Sequence, residues 1–272
     1  MTTRQGLVLA SELFCDGMVS TFERLEAARR DLPAPQPSQS LVEEVAVLGV
    51  GPGDLVADVG AWGGLWSERL RAKYGCSCIA LDVSRKGLSE AAARGVPAVI
   101  ADAEVLPLPP ESVDLVWCRD TLSTLESPQA ALREFVRVLR PGGGVMLYTA
   151  VTTPRLEPSE RAWFLDALEA PPWWSYGRSP SDDAIKETGL DVESFETKSP
   201  EYSEALMAVD PTEITEQLCR VAQMRRARVE LEQLLGTSWY ERWLAWSHWQ
   251  LYLILGKIET AAWMLRKPPT SS

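Results

Sequence analysis

Histidine is almost missing from this sequence: His248 is its single instance in 272 residues. The five cysteines are scattered, with no C-x-x-C pair among them. The His and Cys sets that hold zinc are therefore lacking, and no metal site is expected. Cys76 and Cys78 fall on one face of an expected strand, where same-face neighbours bridge poorly. A reduced, cytoplasmic chain is the expectation. Basic side chains are also in short supply, 27 against 38 acidic ones, for a net charge of −11. Nucleic-acid phosphates need a basic surface, so that class of partner is excluded. The one basic cluster, Arg220, Arg225, Arg226 and Arg228, reads as a solvated helix face. No apolar run approaches the roughly 18 residues of a membrane span. The opening "MTTRQGLVLASELF" has neither the apolar core nor the small-residue cleavage site of a secretory signal, so no membrane partner is expected.

What is present suits one α/β domain with an added helical piece: 46% of residues are hydrophobic and 24% charged. Eight of the eleven tryptophans fall at or after Trp163, which weights the C-terminal half with aromatics. Residues 5–30 carry Leu9, Leu13, Phe14, Met18 and Phe22 at helical spacing, ahead of the Pro/Ser-rich connector "DLPAPQPSQS". After a short helix, "LVEEVAVLGV", strands and helices alternate. "DLVADVG", "CSCIALDVS", "PAVIADA", "VDLVWCRD" and "GVMLYTAV" read as strands one to five. Helices between them stop at glycines, or start at Ser127 with Pro128 in the first turn. Short apolar strands separated by amphipathic helices predict a doubly wound, mainly parallel sheet. Pro141-Gly142-Gly143 is expected to end the helix before strand five. Further on, "SPSDDAIKETG" reads as a helix, "LDVESFETK" and "TAAWMLRK" as strands, and 210–235 as one long helix. A second helix is expected to open on the capping box Ser238-x-x-Glu241. The expected divisions are a helical cap and linker (1–40), a Rossmann-like core (41–200), a helical lid (201–260) and the last strand with its tail (261–272).

The chemistry centres on "DVGAWGG", residues 58–64. Asp58 ends strand one, and Gly60 and Gly64 free backbone N–H groups to approach a small molecule; a tight strand-to-helix turn needs the same glycines. Asp82 ends strand two, 24 residues on, where a carboxylate accepts both hydroxyls of a ribose. Asp102, in "ADAE" at the end of strand three, is placed to receive an adenine amino group.

"LVADVGAWGG", "ALDVS", "ADAEVLPLPPESVDLVWCRDTL" and "ALREFVRVLRPGGGVMLY" run in an order and spacing that resembles the class I S-adenosylmethionine-dependent methyltransferases, over roughly residues 41–150. The likeness is greatest to a small-molecule branch that includes the quinone-biosynthesis type. It implies a seven-stranded, mainly parallel sheet with the last strand antiparallel, and S-adenosylmethionine as cofactor. Carried over by position, it implies that Asp58, Gly60 and Gly64 shape the pocket for the methionine part and that Asp82 binds the ribose diol. Asp102 and the Ala103 backbone face the adenine. Cys118 and Arg119 lie beside the methionine amine through a main-chain carbonyl. The loop departs from the family at Trp62, where glycine is usual: the indole points away, covers the sulfonium end, or packs beneath the first helix of the fold. A histidine common in relatives is Thr124 here, which puts a general base at that position in doubt.

Methyl transfer from a sulfonium needs in-line placement near ~3–3.5 Å and exclusion of water; a base is needed only where the acceptor must lose a proton. The polar candidates are Asp120 and His248, each with a structural reading beside it. Trp173, Trp174 and Tyr176, in a proline-flanked loop, are the acceptor-side candidates; Trp239, Trp243 and Trp246, at i, i+4 and i+7, read as helix packing. Such aromatics favour a hydrophobic or aromatic small-molecule acceptor. The expected function is a methyltransferase of secondary metabolism, with a homodimer admitted. A non-methylating enzyme of the same fold (cyclase-like) and a catalytically silent partner subunit are the alternatives.

Overall fold

The computed structural model describes residues 41–125, 127–168, 179–198 and 212–269; the helices expected over 5–30 lie outside them. Residues 56–59 of β1 (Leu55–Val59) are all buried, as a strand covered on both faces should be. β2 (Ser77–Asp82), β3 (Ala98–Ile100), β4 (Val113–Arg119) and β5 (Leu139–Thr152) follow. With β6 (Asp191–Lys198) and β7 (Ile258–Arg266) they form one sheet in the order β3-β2-β1-β4-β5-β7-β6. Pairing is parallel from β3 across to β5. Only β7 runs antiparallel to its neighbours, so the sheet is mixed. The chain leaves β1 towards β2 and returns on its other side as β4. In open α/β sheets such a reversal of strand order is where the loops at the carboxyl ends diverge and ligands bind.

Side chains alternating along each strand serve two layers. On one face Val116, Cys118, Leu147 and Trp263 meet Leu132 and Phe135 of α4 (Pro128–Val138) and Ile185 of α6 (Ser179–Thr188). On the other, Val56, Trp117, Met146 and Met264 meet Leu41 of α1 (Leu41–Glu44) and Leu70 of α2 (Leu65–Tyr74). Ser84 Oγ accepts the Gly87 N–H to start α3 (Arg85–Ala93), and Ser127 does the same for Ala130 in α4. Beyond β5 comes α5 (Pro158–Ala167), and between β6 and β7 the described residues form three helices: α7 (Thr212–Arg226), α8 (Arg228–Leu235) and α9 (Thr237–Ile254). Among the described residues no helix is long and apolar enough to cross a membrane.

Four local expectations are corrected. Strand five starts at Leu139 and runs through Pro141-Gly142-Gly143. The chains are too close there for side chains, since a Cβ on Gly143 would lie 2.9 Å from the carbonyls of Arg140 and Asp114. The long helix over 210–235 breaks at Ala227 (φ −95, ψ 25) into α7 and α8. This lets Val221 and Met224 pack on Tyr240 and Leu244 while Arg228 reaches Glu241. No capping box forms at Ser238, because α9 starts from Gly236 without a side-chain cap and Glu241 bonds Trp163 and Arg228 instead. Finally, Trp239, Trp243 and Trp246 are 63%, 49% and 55% exposed: the packed face of α9 is the one carrying Tyr240, Leu244 and Tyr252.

Candidate functional site

The parallel order β3-β2-β1-β4 brings the four strand ends singled out in the sequence to one edge. The loop after β1 is tied down there by its backbone: the N–H groups of Gly60 and Ala61 donate to Leu81 O at 2.8 and 3.2 Å. Gly60 (φ 76) and Gly64 (φ 70) both need positive φ. Neither has room for a side chain, since an added Cβ would lie 1.8 Å from Thr121 Oγ1 or 2.7 Å from Ala91 Cβ. Close packing of the turn thus accounts for both glycines. Trp62 adopts the left-handed region as well (φ 43), which an aromatic residue visits only when its surroundings hold it there. Its N–H donates to Asp82 Oδ2 at 2.8 Å, and Ser84 N–H donates to Asp82 Oδ1 at 2.8 Å. The indole lies across Gly87 of α3, where a Cβ would stand 3.1 Å from ring atom Cδ2, and 53% of the residue remains exposed. Trp62 therefore flanks Asp82 from the side of α3 and does not pack beneath α2.

Asp58 is 2% exposed and accepts the Ser67 hydroxyl at 2.6 Å. Burial pushes its carboxyl up to about 6; the Ser67 bond and the more distant Arg119 charge hold it below that, while Asp82 adds repulsion. At the end of β4, Cys118 is fully buried and its thiol is pushed up to about 12, so the sulfur is uncharged and unsuited to attack. The Arg119 guanidinium sits 4.7 Å from the Trp66 ring centre and 5.2 Å from that of Tyr148, and pairs with Asp120 at 3.0 Å. Asp120, like Trp62, is a non-glycine residue at positive φ (57), held by its N–H to Tyr148 O. Its side chain is 48% exposed, and partial loss of hydration at the end of β4 pushes its carboxyl upward against the pull of Arg119. Asp102 Oδ1 accepts the Glu104 N–H at 2.9 Å and makes an isolated bridge with Val105; Ala103 beside it is buried.

His248 belongs to a different neighbourhood. Its Nδ1 faces Leu244 O at 2.7 Å, so Nδ1 carries the proton, and Nε2 accepts from Arg225 at 3.2 Å. The ring meets Trp163 edge-on at 5.1 Å. Burial, with Arg225 adding to it, lowers its pKa and keeps it neutral. Trp173, Trp174 and Tyr176 lie outside the described residues.

Three residues of the edge escaped the sequence reading: Ser67, Trp66 and Thr121. Ser67 stands in the first turn of α2 with nothing in its local pattern to aim it at Asp58. Thr121 Oγ1 donates between Arg119 O (3.1 Å) and Val59 O (3.3 Å), joining the ends of β4 and β1. That link crosses 62 positions in sequence.

A family profile described as "Methyltransferase domain" matches residues 57–147. The demethylmenaquinone methyltransferase of Mycolicibacterium paratuberculosis is 40% identical over 102 residues, which are 38% of this chain and 44% of that protein. The chain thus spans less than half the length of the curated relatives it matches. Among solved structures, geranyl diphosphate C-methyltransferase from Streptomyces coelicolor A3(2) superposes with a TM-score of 0.59 at 15% identity, over 92% of this chain and 82% of that one. The 4+2 cyclase SpnF superposes with a TM-score of 0.58 at 20% identity, over 88% and 85%. At such identities the structures show the shared fold, and the sequence matches carry the kinship. Residues 57–147 thus match a methyltransferase domain, and over that stretch the chain is similar to S-adenosylmethionine-dependent methyltransferases of the quinone-biosynthesis type.

Proposed function

We propose that this chain transfers a methyl group from S-adenosylmethionine to a small hydrophobic or aromatic metabolite. The observation that carries the reading is the row of carboxylates Asp58, Asp82 and Asp102 at or just past the carboxyl ends of adjacent strands β1, β2 and β3. Asp82 suits a ribose diol: each oxygen accepts one backbone N–H, and a carboxylate keeps further lone pairs for hydroxyl donors. Asp58 suits a cationic amine nearby, because its charge is buried and Ser67, through its hydroxyl and its backbone N–H, gives it no cationic partner. Asp102 and the Ala103 backbone are assigned to the adenine, Cys118 and Arg119 to the methionine amine through the main chain, and Trp62 to the wall beside the ribose. When bound, the cofactor supplies a methyl group activated by its sulfonium.

The chain's own task is then to align the acceptor and exclude water. Asp120 is the proton acceptor for acceptors that need one, since it is a half-exposed carboxylate just past the end of β4, beside the strand ends that carry Asp58 and Asp82. His248 has both ring nitrogens engaged, by Arg225 and Leu244 O, which supports a structural role for it over that of a base. Trp173, Trp174 and Tyr176 keep the acceptor-side assignment. The similarity to mycobacterial demethylmenaquinone methyltransferases supports a small-molecule acceptor.

Titration with S-adenosylmethionine tests the reading. Asp82→Ala removes charge-assisted bonds worth about 1.5–3 kcal/mol each, so binding should weaken at least about tenfold. Unchanged affinity would overturn the cofactor assignment. Release of S-adenosylhomocysteine in the presence of an acceptor is the matching activity measurement.

A further inference from the structure

The arginine cluster read from the sequence as a solvated helix face has a second aspect. Arg225 of α7 and Arg228 of α8 line a cavity of about 570 Å³ bounded also by α5 and α9, a size suited to a small molecule. Its walls are aromatic, formed by Trp163, Tyr240 and Tyr252. Two carboxylates also face it, and both have partners. Glu160 is bonded to Lys257. Glu241 accepts Trp163 Nε1–H at 2.7 Å and Arg228 at 2.9 Å, and Arg228 also pairs with Glu232.

Arg225 differs from these. Among the described residues its polar partner is the neutral imidazole of His248, at 3.2 Å. The Nδ1–H bond to Leu244 O fixes which nitrogen of His248 accepts, so the ring holds the guanidinium without neutralising it. A guanidinium has several N–H donors in a planar fork, and one bond to His248 leaves the others free. The arrangement joins an uncompensated cation, held by a buried side chain, to an aromatic-walled cavity.

We propose that this cavity binds a small organic anion, a carboxylate or phosphate group carried on an aromatic body, with Arg225 as its charge partner. The fork matches the two oxygens of either group, and the ring of the ligand lies among Trp163, Tyr240 and Tyr252. None of the carboxylates at the strand ends lines this cavity, so the proposal stands apart from the methyl-transfer reading.

The test uses the full chain without S-adenosylmethionine, titrated calorimetrically and by ligand-observed NMR with benzoate, phenyl phosphate and benzyl alcohol. Either anion should bind about tenfold or more tightly than the neutral alcohol, and the stronger of the two identifies the anionic group. Arg225→Met should weaken that anion by about tenfold and leave the alcohol within twofold. Arg225→Lys, which keeps charge and loses the fork, should fall between. Arg226→Met removes the same charge from the neighbouring position and should leave anion binding within twofold. Thermal melting of each variant checks that it is folded. Anions no tighter than the alcohol, an Arg225→Met protein that binds them unchanged, or an equal loss in Arg226→Met would each overturn the proposal.

Discussion

Asp58 offers a test in which stability and binding move in opposite directions. Its carboxyl rises from an ordinary 3.8 to about 6 because the folded chain buries it, a cost that the hydroxyl and backbone N–H of Ser67 offset only in part. One pKa unit corresponds to ~1.4 kcal/mol, so ionised Asp58 disfavours the folded state by about 3 kcal/mol at neutral pH. The sign follows from linkage: between pH 3.8 and about 6 the native state holds a proton that the unfolded state releases. The relative stability is therefore complete below 3.8 and is lost as the pH climbs to about 6. Asp58→Asn removes the charge and keeps an oxygen for Ser67. Its extra N–H donors cost about 1–3 kcal/mol if left unpaired, but equally at every pH. The clean quantity is thus a difference. The variant's stability relative to wild type should be more favourable at pH 7.5 than at pH 5.0 by about 1.4 kcal/mol. Urea denaturation at the two pH values measures it. A relative stability that is the same at both would refute the burial argument. The same substitution should weaken S-adenosylmethionine binding, the trade expected of a charge kept for a ligand.

Other outcomes follow from the same geometry. Trp62→Gly removes a left-handed aromatic residue and keeps the N–H that bonds Asp82; cofactor affinity measured by titration should stay within a few-fold, and a large loss would make the indole a direct contact. Trp263→Ala should cost about 3–5 kcal/mol in denaturation because that side chain is 1% exposed. Trp243→Ser, on the exposed face of α9, should change stability by less than about 0.5 kcal/mol. His248→Gln should reduce turnover well below the roughly 10²-fold expected for loss of a general base; steady-state rates with a thousandfold loss in a folded variant would make His248 the base.

Much of the framework was legible in the residues alone, because its signals are local. Apolar runs broken by glycines marked β1 to β4 and the helices between them, and Ser127-Pro128 marked the start of α4. Aspartates closing successive strands placed Asp58, Asp82 and Asp102 at one edge, since parallel strands in alternation with helices all end on the same side. Tertiary contacts decided what those residues experience. The Asp58 carboxyl is pushed up to about 6 because the surrounding core excludes water from it, and Ser67 limits that rise. The backbone of Trp62 is turned towards Asp82 by a loop fastened to Leu81 and packed on α3. The i, i+4, i+7 tryptophans form a stripe in any helix, but which stripe is buried depends on where α7 and α5 press against α9, and they press on Tyr240 and Leu244. Glu241 resembled half of a capping box until Trp163, 78 positions away, and Arg228 claimed its oxygens. Periodicity and turn chemistry act within about four residues along the chain; a side chain's charge partner, its burial and its pKa depend on neighbours brought together by the fold, and those have no local signature.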